Sequence, residues 1–216
     1  IIIHCAWYTK HSDYRKSKKN IQYLEMSKFL LDTFIQNGGK TFVGIGTCEE
    51  YDKKKFSKNI FSESTKIKPI NLYAKTKDQF HSYLKTKKIN YKWLRVFYLF
   101  GDGENKKRLF PVIIDGISNN KIININYPYF KTDFIYVKNL AKIIKKLIPK
   151  NINGEFNICA GKSLRIKKVF ETINKLLNKS KKLKLNNKRQ LDYEEIYATN
   201  TKLKKNKIYI KSDFKK

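Results

Sequence analysis

The sequence predicts an α/β protein built on a parallel β-sheet with helices on both faces, followed by a smaller mixed α/β part. Short apolar runs alternate with longer stretches in which apolar residues recur at helical spacing. The segments between the predicted strands are long enough for the crossover helices that parallel strands require. With 216 residues, 41% of them hydrophobic, the chain can bury a sizeable core.

The first half contains three strand patterns separated by helices. The run Ile1–Ala6 is typical of a buried parallel strand, and an apolar stripe over residues 21–35 predicts the helix that follows it. The next three elements are a strand, a helix and a strand, at residues 41–45, 72–84 and 91–99.

Beyond about residue 104 the pattern is less regular. Helices are predicted at residues 110–117, 137–147 and 166–177, with extended segments at 122–125 and 155–159, before a Lys- and Asn-rich tail. We therefore divide the chain into residues 1–104, which carry the parallel sheet, and residues 105–216. A strand near residues 155–159 can return from the second part to the sheet of the first.

The formal net charge of +30 suggests a polyanionic partner, because clustered Lys and Arg neutralise phosphates. Only five of the 48 basic residues are Arg, however, and Arg is the preferred residue for bidentate phosphate and base contacts. The lysines are also scattered through every segment. We interpret the charge as a compositional bias, which leaves a nucleic-acid-binding protein as the least favoured of the functions considered.

The sequence gives no sign of a metal site, a disulfide framework or a membrane span. Cys5, Cys48 and Cys159 are far apart and show no metal-ligand spacing. The three histidines form no ligand cluster either. No apolar run approaches the ~20 residues of a spanning helix. We therefore expect a protein of the reducing cytoplasm.

Several short motifs occur in a fixed order along these elements. They are Gly46–Tyr51 closing a strand, Tyr73 and Lys77 opening a helix, the strand Leu94–Gly101, and then Asp133–Val137 and Gly154–Ile158. Together they resemble the extended short-chain dehydrogenase/reductase family, also called NAD-dependent epimerase/dehydratases. The resemblance covers nearly the whole chain and implies a partial Rossmann-type sheet in residues 1–104 and a substrate-binding region in residues 105–216.

The resemblance implies a catalytic triad of Thr47, Tyr73 and Lys77. The pattern Tyr-x-x-x-Lys occurs three times, at Tyr14/Lys18, Tyr51/Lys55 and Tyr73/Lys77, but only Tyr73 lies at a predicted helix start between two strands. Residues four apart share a helix face, so Lys77 can reach the neighbourhood of the Tyr73 hydroxyl. We expect the nearby ammonium, joined by the positive nicotinamide ring of the cofactor, to lower the Tyr73 pKa. Thr47 would orient the sugar oxygen or simply cap a turn.

By resemblance the cofactor is NAD or NADP, and the residues expected around it are Cys5, Ala6, Trp7, Asn20, Tyr73, Lys77 and Phe97. Trp7 and Phe97 could instead be ordinary core residues. The substrate-binding positions implied are Thr47, Tyr98, Arg108 and Lys131. Thr132 replaces an Arg that often precedes the Asp-Phe-Ile-Tyr-Val motif in the family. The neighbouring Lys131 could substitute for that Arg as a point charge, without its bidentate fork.

The chain also departs from the family pattern. The strand, Gly-rich turn and helix that hold the pyrophosphate are not found, and Gly44-x-Gly46 lacks the third glycine. We therefore expect an N-terminally truncated sequence, and the choice between NAD and NADP stays open. Dehydratases of the family place an Asp-Glu pair after the strand-end Thr, where this chain has Cys48-Glu49.

These departures favour reduction or epimerisation of a nucleotide-sugar, in deoxysugar or surface-polysaccharide precursor synthesis, over elimination of water. The resemblance also implies a homodimer formed through the helices at residues 21–35 and 72–84. The main alternative is a catalytically inactive or truncated relative that binds a partner through its basic surface.

Overall fold

A computed structural model describes residues 1–55, 57–179, 184–185 and 193–209. The strands are β1 (Ile2–His4), β2 (Thr41–Thr47), β3 (Lys58–Phe61), β4 (Asn90–Val96), β5 (Tyr98–Phe100), β6 (Asn124–Ile125), β7 (Lys131–Thr132), β8 (Phe134–Tyr136), β9 (Gly154–Ile158), β10 (Leu164–Arg165), β11 (Lys184–Leu185) and β12 (Glu195–Ala198). The helices are α1 (Lys19–Gln36), α2 (Leu72–Lys85), α3 (Leu109–Ser118), α4 (Val137–Leu147), α5 (Ile166–Leu176) and α6 (Thr201–Lys205), with a 3-10 turn at Cys48–Glu50.

The main sheet has four parallel strands in the order β1-β2-β4-β9. Successive residues of β2 face opposite sides of the sheet, as the pleat requires. Phe42 packs with α1 and α2 on one face, whereas its neighbour Val43 packs with α4 and α6 on the other. The predicted fold class, a parallel sheet with helices on both faces, is therefore confirmed.

A second four-stranded sheet, in the order β10-β7-β12-β3, lies beyond the carboxyl ends of the main strands. Its strand β3 comes from the first half of the chain and pairs in parallel with β12 from the tail. Strand β9 in turn belongs to the main sheet. Both sheets thus draw strands from either side of residue 104, although the division into domains at that residue stays a prediction.

The structure differs from the sequence-based prediction in two details. The strand expected at residues 91–99 is divided at Phe97, because β4 ends in the main sheet while β5 turns away to pair with β8. The sequence pattern assigned no element to the tail, where β12 and α6 form. Both differences arise from long-range strand pairing, which local patterns do not reveal.

Asp133 lies between β7 and β8 and joins the two sheets. Its buried carboxylate accepts backbone N–H bonds from Ala160, Gly161 and Lys162, the loop that follows β9. Burial raises the pKa of Asp133 to about 7, although these N–H donors act in the opposite direction.

We expect Asp133→Asn to lower the free energy of unfolding by about 1–3 kcal/mol, because the amide turns a hydrogen-bond donor toward a cluster of N–H groups. Urea denaturation measures the change. Asp115→Asn is the matched control, since Asp115 is an exposed residue that pairs with Lys121 at the surface. Equal stabilities of the two variants would show that Asp133 does not join the sheets.

Candidate active site

The predicted catalytic residues lie where the main strands β1 and β2 end. Strand β2 ends at Thr47, and the 3-10 turn of Cys48, Glu49 and Glu50 follows at once. Helix α2 packs against both β2 and this turn, and its first turn carries Tyr73. The carboxyl edge of a parallel sheet is the usual position of ligand sites in open α/β folds.

Thr47 serves as the cap of the turn that follows it. Its hydroxyl oxygen accepts the backbone N–H of Glu49, and its own backbone N–H donates to the Glu50 carboxylate at 2.8 Å. The side chain is buried except for 8% of its surface. The structure therefore contains the capping role that the sequence left as the alternative, and the hydroxyl hydrogen is left available for a second partner.

The Glu50 carboxylate is buried completely and joins β2 to β4. It accepts hydrogen bonds from the Trp93 indole and, at 2.8 Å, from the Arg95 guanidinium, in addition to the Thr47 amide. Arg95 is itself only 3% exposed. Because every charged group here has a partner, the network satisfies the condition under which buried ions are tolerated.

Tyr73 and Lys77 lie on one face of α2, as their spacing predicts. The Lys77 ammonium donates to the carbonyl of Ile45 at 2.6 Å and lies 5.9 Å from the centre of the Tyr73 ring. It lies 4.0 Å from the Trp7 ring, and only 2% of the lysine is exposed. Trp7 thus covers the ammonium group.

The protein groups around Tyr73 raise its pKa. Burial raises the pKa of Tyr73, and the negative charges of Glu49 and Glu50 add to this effect. Burial also lowers the pKa of Lys77 to about 7, so near neutral pH the amine carries only part of a charge. The predicted lowering of the Tyr73 pKa also depends on the positive nicotinamide ring, so it stays a prediction for the protein with its cofactor bound.

The other residues predicted to bind the cofactor differ in how closely they approach Lys77 and Tyr73. The Trp7 indole N–H donates to Asn20 at 3.0 Å, and the amide of Asn20 holds the backbone carbonyls of Tyr14 and Ser17. Cys5 and Ala6, which follow β1, are exposed at the same end of the sheet. Amine, aromatic and amide groups of this kind suit a ribose and a nicotinamide, and their contact with a cofactor stays a prediction.

Phe97, in contrast, belongs to the core. It is 3% exposed and packs with Tyr51, Phe61 and neighbouring apolar residues between the two sheets. Its contact with a nicotinamide stays a prediction, next to the core role that the structure shows.

Gly44 and Gly46 make room for a tryptophan and not for a phosphate. A Cβ atom on Gly46 would come within 2.5 Å of the Trp93 indole nitrogen, and one on Gly44 within 2.6 Å of the same ring. The glycines of this strand are therefore explained by the packing of Trp93. This agrees with the sequence argument against a phosphate-binding role for them.

The predicted substrate-binding residues fall into two places. Tyr98 lies close enough to Glu49, Arg15 and Tyr14 for their charges to affect its pKa, which burial raises. Arg108 pairs with Glu104 at 2.8 Å and donates to the carbonyl of Leu99. Lys131 lies in β7 of the second sheet.

A second charged group near Tyr73 was not predicted. Glu49 receives the guanidinium of Arg15, at 2.6 Å for the shortest contact, and the side-chain amide of Asn71. The sequence did contain a signal for it. In a chain whose basic residues are almost all Lys, an Arg marks a position where the planar fork matters, and Arg15, Arg95 and Arg108 each hold a glutamate.

Comparison with known proteins identifies the family. The sequence model described as the NAD dependent epimerase/dehydratase family matches residues 1–159, which is most of the chain. The chain belongs to this family. As a member of the NAD-dependent epimerase/dehydratase family, it shares its sheet architecture with solved relatives.

Two curated relatives and one solved structure illustrate the similarity. The chain is 28% identical over 93 residues to CDP-abequose synthase of Salmonella muenchen and 32% identical over 128 residues to dTDP-4-dehydro-6-deoxyglucose reductase of Escherichia coli. These matches cover 42% and 55% of the chain, but only 32% and 40% of the relatives. A UDP-N-acetylglucosamine 4-epimerase of Methanobrevibacter ruminantium, solved with UDP-N-acetylmuramic acid, has a TM-score of 0.79 at 26% identity, over 88% of this chain and 63% of that one.

Within the part of the chain that the structure describes, no set of three or more His, Cys, Asp or Glu residues is arranged to hold a metal ion. The helices of that part include none with the length and apolar character needed to cross a membrane.

The cysteines should differ sharply in reactivity. Burial raises the pKa of Cys48 to about 12 and the pKa of Cys159 well above its ordinary value, whereas Cys5 is exposed. We expect a disulfide reagent such as Ellman's reagent to modify only Cys5 in the native protein and all three thiols in denaturant. Cys5→Ser is the control. Rapid native modification of Cys48 would identify it as a nucleophile.

The burial of Lys77 should make the free energy of unfolding depend on pH. Between its folded pKa of about 7 and its ordinary value of 10.5, the unfolded chain binds more protons than the folded one. The stability that Lys77 contributes therefore rises with pH across this window. We expect the free energy of unfolding of the wild type, relative to Lys77→Met, to increase between pH 7 and pH 9 in urea titrations.

Lys142→Met is the control for this measurement, because Lys142 is an exposed lysine of α4. A difference between wild type and Lys77→Met that stays constant with pH would contradict the burial of the ammonium group.

Proposed function

We propose that this protein carries out NAD(P)-dependent reduction or epimerisation of a nucleotide-sugar. The observation that supports this most strongly is the position of Tyr73 and Lys77. They share one helix face, beside the turn that begins at Thr47, at the carboxyl edge of the parallel sheet. A phenol, an amine and an alcohol gathered at that edge suit proton exchange with a sugar hydroxyl.

The cofactor, when bound, supplies or accepts hydride at the sugar carbon. Tyr73 exchanges the proton of the sugar hydroxyl, and Thr47 hydrogen-bonds the same oxygen and orients it. When the Lys77 amine is protonated, its positive charge favours the phenolate form of Tyr73. Lys77 also reaches toward the ribose. Because Trp7 covers Lys77, a nucleotide reaches the amine only after the indole moves aside.

Reduction or epimerisation is favoured over elimination of water. The position that an acid would occupy in a dehydratase holds Cys48, a buried thiol whose pKa is raised to about 12 and which therefore is neither a good acid nor a good nucleophile. Glu49, the next residue, is held by Arg15 and Asn71. The curated relatives named as a synthase and a reductase of deoxysugar nucleotides support the same reaction class.

The proposed partners are a nucleotide-sugar substrate and a second copy of the chain. Arg108 and Lys131 supply positive charge in the region assigned to the substrate. Helices α1 and α2 pack side by side, and α1 exposes Met26 and Phe29 on its outer face, which supports the predicted homodimer. A cytoplasmic location remains part of this proposal.

One observation favours the alternative of a non-catalytic relative. Lys77 is almost completely covered, and burial raises the pKa of Tyr73. A protein that never bound a dinucleotide would be stable with Trp7 in this position. A titration with NADH or NADPH, monitored by tryptophan fluorescence, separates the two functions. An enzyme should bind the cofactor and show quenching as Trp7 is displaced, whereas a non-catalytic relative should not.

The test of the proposed function is turnover by the native gene product. We expect oxidation of NADH or NADPH with dTDP-4-dehydro-6-deoxyglucose, or interconversion of UDP-N-acetylglucosamine with its 4-epimer. Tyr73→Phe should lower kcat by about 10²–10⁴-fold, the usual range for loss of a proton-transfer group, with little change in cofactor affinity. Tyr129→Phe, which alters a tyrosine that is 55% exposed, is the control. Turnover by Tyr73→Phe at the wild-type rate would refute the assignment.

A further inference from the structure

Glu49 connects the segment that contains Arg15 with the start of α2. It is 7% exposed and lies in the turn that Thr47 caps. The guanidinium of Arg15 reaches it through two nitrogens, Nε at 3.1 Å and Nη2 at 2.6 Å. The side-chain amide of Asn71 donates to its other oxygen.

Each partner of Glu49 holds a segment next to Tyr73. Asn71 caps α2, because its side-chain oxygen accepts the backbone N–H of Ala74 at 2.9 Å. The backbone carbonyl of Arg15 accepts the N–H of Tyr73 itself at 3.3 Å. The ring of Tyr14, the residue before Arg15, stands edge-on to the ring of Tyr73 at 5.0 Å.

We propose that Glu49 is a positioning residue for Tyr73, which fastens the first turn of α2 and the segment 14–15 to the end of β2, and that it does not itself transfer protons. This inference rests on the proposed function, in which Tyr73 is the proton-transfer group. Glu49 thus has a structural role in this chain, at a position where the dehydratase pattern has a glutamate that takes part in the reaction.

The hydrogen bonds of Glu49 agree with this assignment. Both carboxylate oxygens are engaged, one by the guanidinium alone and the other by the guanidinium and the amide. Burial alone would raise the pKa of Glu49, but the bonds to Arg15 and the Arg15 charge outweigh it, so the pKa lies below its ordinary value. A group held as a carboxylate by fixed donors is a poor proton shuttle.

The experiment compares Glu49→Gln, Arg15→Gln and the double variant in the native gene product, with the turnover assays described above. Glu49→Gln should lower kcat by about 10- to 100-fold with a smaller change in KM, which is the effect of a reacting group displaced by about 1 Å. The fall should be the same at every pH. Because the two residues act through one contact, the double variant should be no slower than Glu49→Gln.

Amide hydrogen exchange gives a readout that does not depend on activity. Glu49→Gln should speed exchange in residues 14–17 and 71–75 and leave β9 unchanged. Glu25→Gln, which removes an exposed carboxylate paired with Lys28, is the matched control and should affect neither exchange nor kcat. If Glu49→Gln does not fold, Arg15→Lys keeps the charge, loses the fork and should give an intermediate loss of kcat.

Two results would overturn the proposal. The first is a kcat of Glu49→Gln equal to that of the wild type. The second is a Glu49→Gln variant that loses one limb of the pH–rate profile while amide exchange in residues 71–75 is unchanged, because that is the behaviour of a proton-transfer group. If the wild type itself transfers no hydride, the proposed function fails, and the exchange data alone then decide whether Glu49 fastens the two segments.

Discussion

The buried carboxylate of Glu50 is the interaction on which the arrangement of this site depends. Three donors from two neighbouring strands meet on it: the Thr47 amide, the Trp93 indole and the Arg95 guanidinium. Removal of the Arg95 guanidinium would leave the Glu50 carboxylate buried without a counter-charge, which is strongly destabilising. The end of β2 is thereby fixed relative to β4, and Thr47 with it.

Several features of the sequence follow from this interaction. The Trp93 side chain can cross β2 only because Gly44 and Gly46 have no Cβ atom in its path. Arg95 extends the network to Tyr51, whose hydroxyl donates to Asn157 of β9 at 2.6 Å. The polar chain thus crosses the sheet from β2 to β9. Such a network specifies one register for the strands, which apolar packing by itself does more weakly.

The use of arginine in this lysine-rich chain has a physical explanation. Lysine supplies a flexible point charge that suits solvated surface, whereas the guanidinium offers several donors in a fixed plane. Arg15 and Arg95 hold the two consecutive glutamates after Thr47, and Arg108 holds Glu104 at the start of α3. In this lysine-rich chain, these three arginines lie at positions where the geometry of the guanidinium constrains the choice of residue.

The sequence by itself determined the element order, the parallel sheet and the position of Tyr73 and Lys77 on one helix face, because these depend on hydrophobic period and local spacing. Only the tertiary structure decided that β4 ends before Phe97, that β3 pairs with β12, and that Glu49 and Glu50 hold two sides of the site. It also decided the direction in which the pKa values of Tyr73 and Lys77 shift, because burial is the main cause of both shifts. Burial and strand pairing depend on residues far apart in the chain, and spacing along the sequence contains no measure of either.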